Sequence, residues 1–287
     1  MNMNDLNHKN TIREVLSGAS SFLNAQGLEG YAAEWLLKER FDLSKTTIVK
    51  RGSETMPFEM KARFFNDLEQ YIGGRPVQHI VGHEWFYDRK FTVTSDTLIP
   101  RPETEEWFDR YLKGLPDRQL TVLDIGTGTG VLGISHKLER PKDEVTLVDI
   151  SPEALAIAQK NAQQLGADVN VCLSDLTAEL QSGKYDLVVS NPPYISTAEH
   201  SEMDRSVLEY EPALALFAEQ EGLEIYKRLA SELPAILEED AQIILEIGYR
   251  QAASVKAIFE KVLPDADITI WKDMAGLDRV VYIQTVK

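Results

Sequence analysis

The chain has 287 residues, 43% of them hydrophobic and 26% charged, which exceeds one typical domain and suits a soluble globular protein of one large and one smaller unit. Its formal net charge of −16 falls entirely within residues 76–287, because residues 1–75 balance ten basic side chains against ten acidic ones. Such a charge opposes the counterion release that drives binding to duplex DNA, so direct DNA binding is not expected.

The first ten residues are polar, no apolar run reaches the roughly 20 residues of a bilayer span, and the single cysteine, Cys172, excludes an internal disulfide. These features predict a cytoplasmic protein with no membrane segment. Thr11 and Glu14 have capping-box spacing, opening a helix through Val15, Leu16, Phe22 and Leu23 that stops near Gly27. Ala33, Leu36 and Leu37 mark a second helix, and Phe58, Ala62, Phe65, Leu68 and Ile72 a third. Residues 1–75 are therefore expected to form a small helical bundle.

Gly73, Gly74 and Pro76 interrupt the helices, and the aromatic and β-branched content of Trp85–Thr94 predicts a hairpin or extended linker within 76–98. His79 and His83 stand four apart, as metal ligands on a helix would, but Gly82 beside Ile80 and Val81 argues against a helix there. His8, His136 and His200 are scattered, so no metal site is expected.

From Leu120 onward, short apolar runs alternate with helical stretches: Thr121–Ile125, Val145–Ile150, Val169–Leu173, Tyr185–Ser190 and Ala241–Ile247. This pattern predicts an α/β domain over 99–287 with a parallel sheet. The runs Ile268–Trp271 and Arg279–Ile283 are joined through Gly276 without room for a helix, so they should close the sheet antiparallel.

At the end of the first run, Gly126-Thr127-Gly128-Thr129-Gly130 supplies three glycines for a tight turn and close ligand approach. The spacing departs from the dinucleotide fingerprint, and the lysine of a phosphate-cradling loop is absent. Asp149 ends the next strand, 19 residues beyond Gly130, where a carboxylate can accept hydrogen bonds from both hydroxyls of a ribose. Asp175 follows the third strand, where an adenine would lie, with Leu176 as its apolar wall. After the fourth run comes Asn191-Pro192-Pro193-Tyr194. The prolines have no N–H, so this corner offers the Asn191 side-chain carbonyl and the Pro192 backbone carbonyl as acceptors without competing donors from either proline. It is suited to holding an NH2 group, with the Tyr194 ring expected to pack on a planar substrate.

The glycine loop with Asp149 and Asp175 resembles the cofactor motifs of class I S-adenosylmethionine-dependent methyltransferases. That resemblance implies a seven-stranded Rossmann-like domain, S-adenosyl-L-methionine as cofactor and S-adenosyl-L-homocysteine as product, with Gly126 to Gly130, Asp149, Asp175, Leu176 and Asn191 at the cofactor. Asn-Pro-Pro-Tyr is similar to the signature of enzymes that methylate planar NH2 groups. Arg75-Pro76-Val77-Gln78-His79-Ile80, Ile99-Pro100-Arg101-Pro102-Glu103-Thr104-Glu105, Glu211-Pro212-Ala213-Leu214-Ala215-Leu216 and Glu246-Ile247-Gly248 extend the likeness over nearly the whole chain to the release factor glutamine methyltransferases. This resemblance implies that the substrate is the glutamine of a Gly-Gly-Gln loop in class 1 peptide chain release factors. Its amide would be held by Asn191, Pro192, Pro193 and Tyr194, and residues 1–75 would select the partner. The long connection Ile195–Tyr210 is expected to form a lid, ordered by Glu211.

Competing readings are methylation of a ribosomal-protein glutamine, adenine methylation of nucleic acid and a non-catalytic binding module. Nicotinamide-dependent hydride transfer is weaker, because the third glycine is misplaced. Ribosomal-protein relatives usually carry Arg-Ser-Pro where this chain has Arg101-Pro102, and adenine methylation would need a basic track that residues 1–75 lack.

Overall fold

A computed structural model describes residues 8–180 and 183–286. The polar first seven residues of the expected helical leader lie outside the described residues. The chain forms two compact units, Met1–Gly82 with Arg205–Tyr210, and His83–Asp204 with Glu211–Lys287.

In the first unit, α1 (Ile12–Ala25) begins at a complete Thr11/Glu14 capping box. It is followed by α2 (Tyr31–Arg40), α3 (Lys45–Lys50), α4 (Phe58–Ile72) and α5 (Val77–Val81). Ile12, Val15, Ala19, Leu23, Ala33, Leu36, Leu37, Phe64 and Leu68 form its core, which is the burial that amphipathic stripes at helical spacing require. Arg40 pairs with the buried Asp67 and also donates to the Ile80 carbonyl. Helix α5 departs from the sequence expectation. Gly82 adopts a left-handed φ of 87° and caps the C-terminus, so it ends a short helix rather than preventing one. His79 lies buried on that helix, while His83 opens a strand.

The second unit starts with the antiparallel hairpin β1 (His83–Phe86) and β2 (Arg89–Thr92). Its two turn residues, Tyr87 and Asp88, both have positive φ, the pairing that matches strand twist. Helix α6 (Pro102–Gly114) leads into β3 (Thr121–Ile125), α7 (Val131–Glu139), β4 (Glu144–Asp149), α8 (Pro152–Leu165), β5 (Asn170–Leu173) and β6 (Tyr185–Ser190). A two-residue parallel ladder joins β7 (Ile195–Ser196) to β8 (Phe217–Ala218). Between them lie a 3-10 segment at Thr197–Glu202, α9 (Arg205–Tyr210), which belongs to the first unit, and α10 (Ala213–Leu216). Then follow α11 (Glu224–Glu232), β9 (Leu237–Glu246), α12 (Ala252–Val262), β10 (Asp267–Lys272) and β11 (Asp278–Gln284).

Seven strands form one sheet in the order β10-β11-β9-β6-β3-β4-β5. Strands β3, β4, β5, β6 and β9 are parallel, and β11 pairs antiparallel with both β9 and β10, as expected from the short connection through Gly276. Neighbouring residues alternate between the faces. Leu123, Val188, Ile243 and Leu245 pack with Tyr226, Leu229, Val255 and Phe259 on one side, while Val122, Leu187, Val189 and Ile244 pack with Trp107, Phe108, Ile134 and Ala158 on the other. Both faces are covered, which is why the strands read as continuous apolar runs. Chain order reverses between β3 and β6, and in such sheets the crevice at the carboxyl ends beside that reversal takes the ligand.

Candidate active site

The first glycines after β3 are open to a ligand, whereas the later ones are needed for packing. Gly126 (φ 67°) and Gly128 (φ 54°) adopt left-handed conformations that disfavour side chains, and a Cβ on either would meet nothing within 4 Å. A Cβ on Gly130 would lie 2.4 Å from Ile134 Cδ1, and one on Gly133 would lie 2.2 Å from Leu147 Cδ2. Gly130 thus permits close helix packing and is not in the cavity wall described below. Gly133 was not singled out by the sequence, because its neighbour across the fold is 14 positions away.

Asp124 anchors the loop from beneath. Its Oδ2 accepts the Thr127 hydroxyl at 2.6 Å and the Gly133 amide at 2.9 Å, while its buried Oδ1 has no hydrogen-bond partner. Burial pushes this carboxyl up to about 6, against the lowering effect of those two donors. At the end of β4, Asp149 accepts the Gly128 amide on Oδ2 and the Ser151 amide on Oδ1, both at 2.9 Å. Burial raises the Asp149 carboxyl above its ordinary range, opposed by the same backbone donors.

A cavity of about 280 Å³ opens over these residues. Its wall includes Gly126, Thr127, Gly128, Thr129, Asp149, Asp175, Leu176, Asn191, Pro192 and Pro193, so ten of the sequence-selected residues meet around one space. Thr97, Arg101, Thr104, Leu214, Ile225 and Arg228 complete much of the remainder. Arg228, on α11, holds Asp175 in an ion pair at 2.9 Å. Leu176 takes a left-handed φ of 53°, an unusual conformation for a leucine and the kind of strain found at ligand sites. Asn161 is a further buried support. Its side chain donates to the Thr92 and Thr129 carbonyls and accepts the Thr92 amide, tying the hairpin to the glycine loop.

Tyr194 lies outside this wall. It joins the core, its Cδ2 standing 3.4 Å from where a Gly248 Cβ would be, and its carbonyl accepts the Gln251 amide at 2.9 Å. Its hydroxyl reaches Glu246 Oε1 at 3.5 Å, and burial beside that carboxyl raises the phenol well above its ordinary value. Glu246, at the end of β9, is 1% exposed and accepts the Thr104 hydroxyl at 2.6 Å and the Trp107 indole N–H at 2.8 Å, both on Oε2. Asn191 Nδ2 donates to Thr104 Oγ1 at 3.4 Å.

Glu211 accepts the Ile99 amide at 2.9 Å and Arg101 at 2.6 Å, joining two segments that border the cavity. Pro212, Leu214 and Ala215, which follow the connection Ile195–Tyr210, are in the wall, and no residue of that connection is. His136 has a structural setting, between the Tyr111 hydroxyl at 2.9 Å and Asp143 at 2.8 Å. Among the described residues no group of three His, Cys, Asp or Glu side chains is arranged to hold a metal.

The site fits S-adenosyl-L-methionine. Two glycines with open space above them form a cradle for a closely approaching ligand, and the Asp149 carboxylate, fixed by the Gly128 and Ser151 amides, stands beside it where it could accept ribose hydroxyls. Gly126 to Thr129, Asp149, Asp175, Leu176 and Asn191 are the residues that would hold it.

Two family models match the chain, one in each unit. The family described as the PrmC N-terminal domain matches residues 14–82, and that described as the methyltransferase small domain matches residues 110–210. The release factor glutamine methyltransferase of Enterococcus faecalis is 45% identical over 93% of this chain and 96% of its own length. Its Bacillus subtilis counterpart is 38% identical, over 94% and 96% respectively. A methyltransferase crystal structure from Pyrococcus furiosus, 16% identical, matches the fold with a TM-score of 0.52, covering 79% of this chain and 97% of that one. With near-complete coverage at this identity, the chain belongs to the release factor glutamine methyltransferase family, the S-adenosylmethionine-dependent enzymes that the glycine loop and the Asn-Pro-Pro-Tyr corner had suggested.

Proposed function

We propose that this enzyme methylates the side-chain amide nitrogen of the glutamine in the Gly-Gly-Gln loop of a class 1 peptide chain release factor, in the cytoplasm. One observation supports the reading most: the glycine cradle, Asp149 and the Asn191-Pro192-Pro193 corner, whose prolines carry no N–H, border the same cavity. S-adenosyl-L-methionine, when bound, supplies a methyl group on a cationic sulfonium, which departs as a neutral thioether.

An amide nitrogen is a weak nucleophile because its lone pair is delocalised. Positioning is therefore the main task of the protein, and good alignment of two reactants is worth roughly 7 to 11 kcal/mol of barrier. In this reading the Asn191 side-chain carbonyl and the Pro192 backbone carbonyl accept the two N–H hydrogens of the glutamine amide. Pro193 keeps the corner rigid and free of a competing donor. Tyr194 supports the corner from the core side, through its contacts with Glu246 and Gln251. The glutamine nitrogen gains the methyl group and releases one proton.

The helical leader, residues 1–75, is proposed to select the protein partner. Tyr31 and Phe58 are 70% and 84% exposed on that unit, and aromatic side chains are enriched at protein interfaces. Among the described residues no helix is long and apolar enough to cross a membrane. The test is mass spectrometry of a release factor incubated with enzyme and S-adenosyl-L-methionine. A gain of one methyl on the Gly-Gly-Gln glutamine is expected; labelled methyl in RNA, DNA or a ribosomal protein, and none in the release factor, would overturn the assignment.

A further inference from the structure

Asn191 can serve as an acceptor only if its amide is held one way round, because its two ends differ only as donor and acceptor. Rotating the group by half a turn would present NH2 to an incoming NH2 and repel it. We propose that Trp107, Glu246 and Thr104 form a buried relay that sets this polarity, making Glu246 and Thr104 positioning residues for the transfer. The inference rests on the function proposed above and deepens it.

The indole of Trp107 can only donate. It donates to Glu246 Oε2 at 2.8 Å, which marks that oxygen as an acceptor. The Thr104 hydroxyl bonds to the same oxygen at 2.6 Å and commits its single proton there. What Thr104 Oγ1 has left is lone pairs. It therefore receives a hydrogen bond from Asn191, and Nδ2 faces it at 3.4 Å. With the donor end of the amide engaged, Oδ1 is the polar end available to the cavity that Asn191 lines. Three elements of the fold cooperate here: the first turn of α6 brings Thr104, the end of β9 brings Glu246 and the end of β6 brings Asn191. Burial makes the relay costly to break, since a buried donor or acceptor left without its partner costs more than a bond to water restores.

The decisive pair is Thr104→Val, which keeps the shape and removes the hydroxyl, against Thr104→Ser, which keeps the hydroxyl. For Glu246 the matching pair is Glu246→Leu against Glu246→Gln, whose side-chain oxygen can still take both donors. Methyl transfer to a release factor, cofactor affinity by calorimetry and the Asn191 side-chain amide signals in 15N NMR are measured for each. Those signals are assigned by their loss in Asn191→Ala.

Thr104→Val is expected to lower kcat by roughly 100-fold, the size of effect that misalignment of a reacting group produces. Cofactor affinity should be retained and the Asn191 amide protons should shift. Thr104→Ser should recover most of the rate and the original signals, and Glu246→Gln should recover most of what Glu246→Leu loses. If Glu246→Leu does not fold, the Thr104 pair decides. Wild-type kcat in Thr104→Val, equal impairment by Val and Ser, or unmoved Asn191 signals would overturn the relay. Failure of the underlying function reads differently, as wild-type enzyme that leaves the release factor unmethylated, and the NMR comparison still judges the relay in that event.

Discussion

Asp124 offers a test of how the glycine loop is held, through the pH dependence of stability. Its carboxyl lies at about 6 in the folded protein against an ordinary value of 3.8, with burial as the main cause. A folded value above the unfolded one means that the native state binds the proton more tightly, so this group favours folding most at low pH. That advantage is lost as pH rises from 3.8 through 6. At 1.36 kcal/mol for each pKa unit, the ionised carboxylate opposes folding by about 3 kcal/mol at pH 7.5 and about 1 kcal/mol at pH 4.5.

Asp124→Asn can keep an oxygen in the position of Oδ2, still accepting Thr127 and Gly133, while placing NH2 where Oδ1 has no partner. That unpaired NH2 lowers stability equally at both pH values. The variant should therefore gain about 2 kcal/mol relative to wild type between pH 4.5 and pH 7.5, whatever its absolute stability. For a unit of this size that corresponds to roughly 4 to 8 °C of relative Tm, measurable by thermal denaturation of cofactor-free protein across the pH range. Comparing the two proteins cancels the titrating groups that are not coupled to Asp124, such as Glu246, which burial also raises, whereas Asp149, whose charge contributes to the Asp124 shift, titrates more easily in the variant. Tm curves that run parallel from pH 4.5 to 7.5 would refute the reasoning.

Three further outcomes follow from the same geometry. Asp149→Ala removes the acceptor of the Gly128 amide together with two ribose bonds of roughly 1.5 to 3 kcal/mol each, so calorimetry should find cofactor affinity reduced by about 100-fold or more; an unchanged Kd would separate Asp149 from the cofactor. Gly133→Ala and Gly126→Ala should fail differently. The first forces a Cβ to within 2.2 Å of Leu147 and should lower stability by about 1 to 3 kcal/mol, whereas the second meets no protein atom within 4 Å and should show its effect mainly in cofactor affinity. Glu211→Ala leaves the Ile99 amide and Arg101 without their acceptor. It should cost roughly 3 kcal/mol in thermal or denaturant unfolding, and wild-type stability in that variant would show that the link between the two segments contributes little.

What could be read from the sequence and what could not divides along a physical line. The strands announced themselves because both faces of the sheet are covered, so Thr121–Ile125 and Tyr185–Ser190 each hold consecutive apolar residues, Val122-Leu123 and Leu187-Val188-Val189, and their ends coincide with the observed strands. Gly126, Asp149 and Asn191 were legible because each ends a strand or follows one directly, and a parallel sheet delivers such positions to one edge without any knowledge of long-range contacts. Helices were legible where the apolar stripe was long. α3 has six residues and one buried side chain, Ile48, so its start at the Ser44 cap left no periodic pattern to find. At α5 the error concerned what a glycine does: at the end of a helix, a left-handed Gly82 is a stop signal that leaves the preceding turn intact.

The residues that escaped are those whose meaning lies in a partner remote in sequence. Arg228 looks like one polar position on an amphipathic helix until it meets Asp175, and Glu246 looks like a strand-end acid until Thr104, 142 positions earlier, donates to it. Tyr194 draws its surroundings in the same way, since the Gln251 side-chain amide that its carbonyl accepts and the Glu246 carboxylate that its hydroxyl reaches are 57 and 52 positions away. The family-like segments Ile99–Glu105 and Glu246–Gly248 held the clue, since neither has an evident purpose alone. Joined through Thr104 and Glu246 they do have one, which is to decide which end of the Asn191 amide the substrate meets.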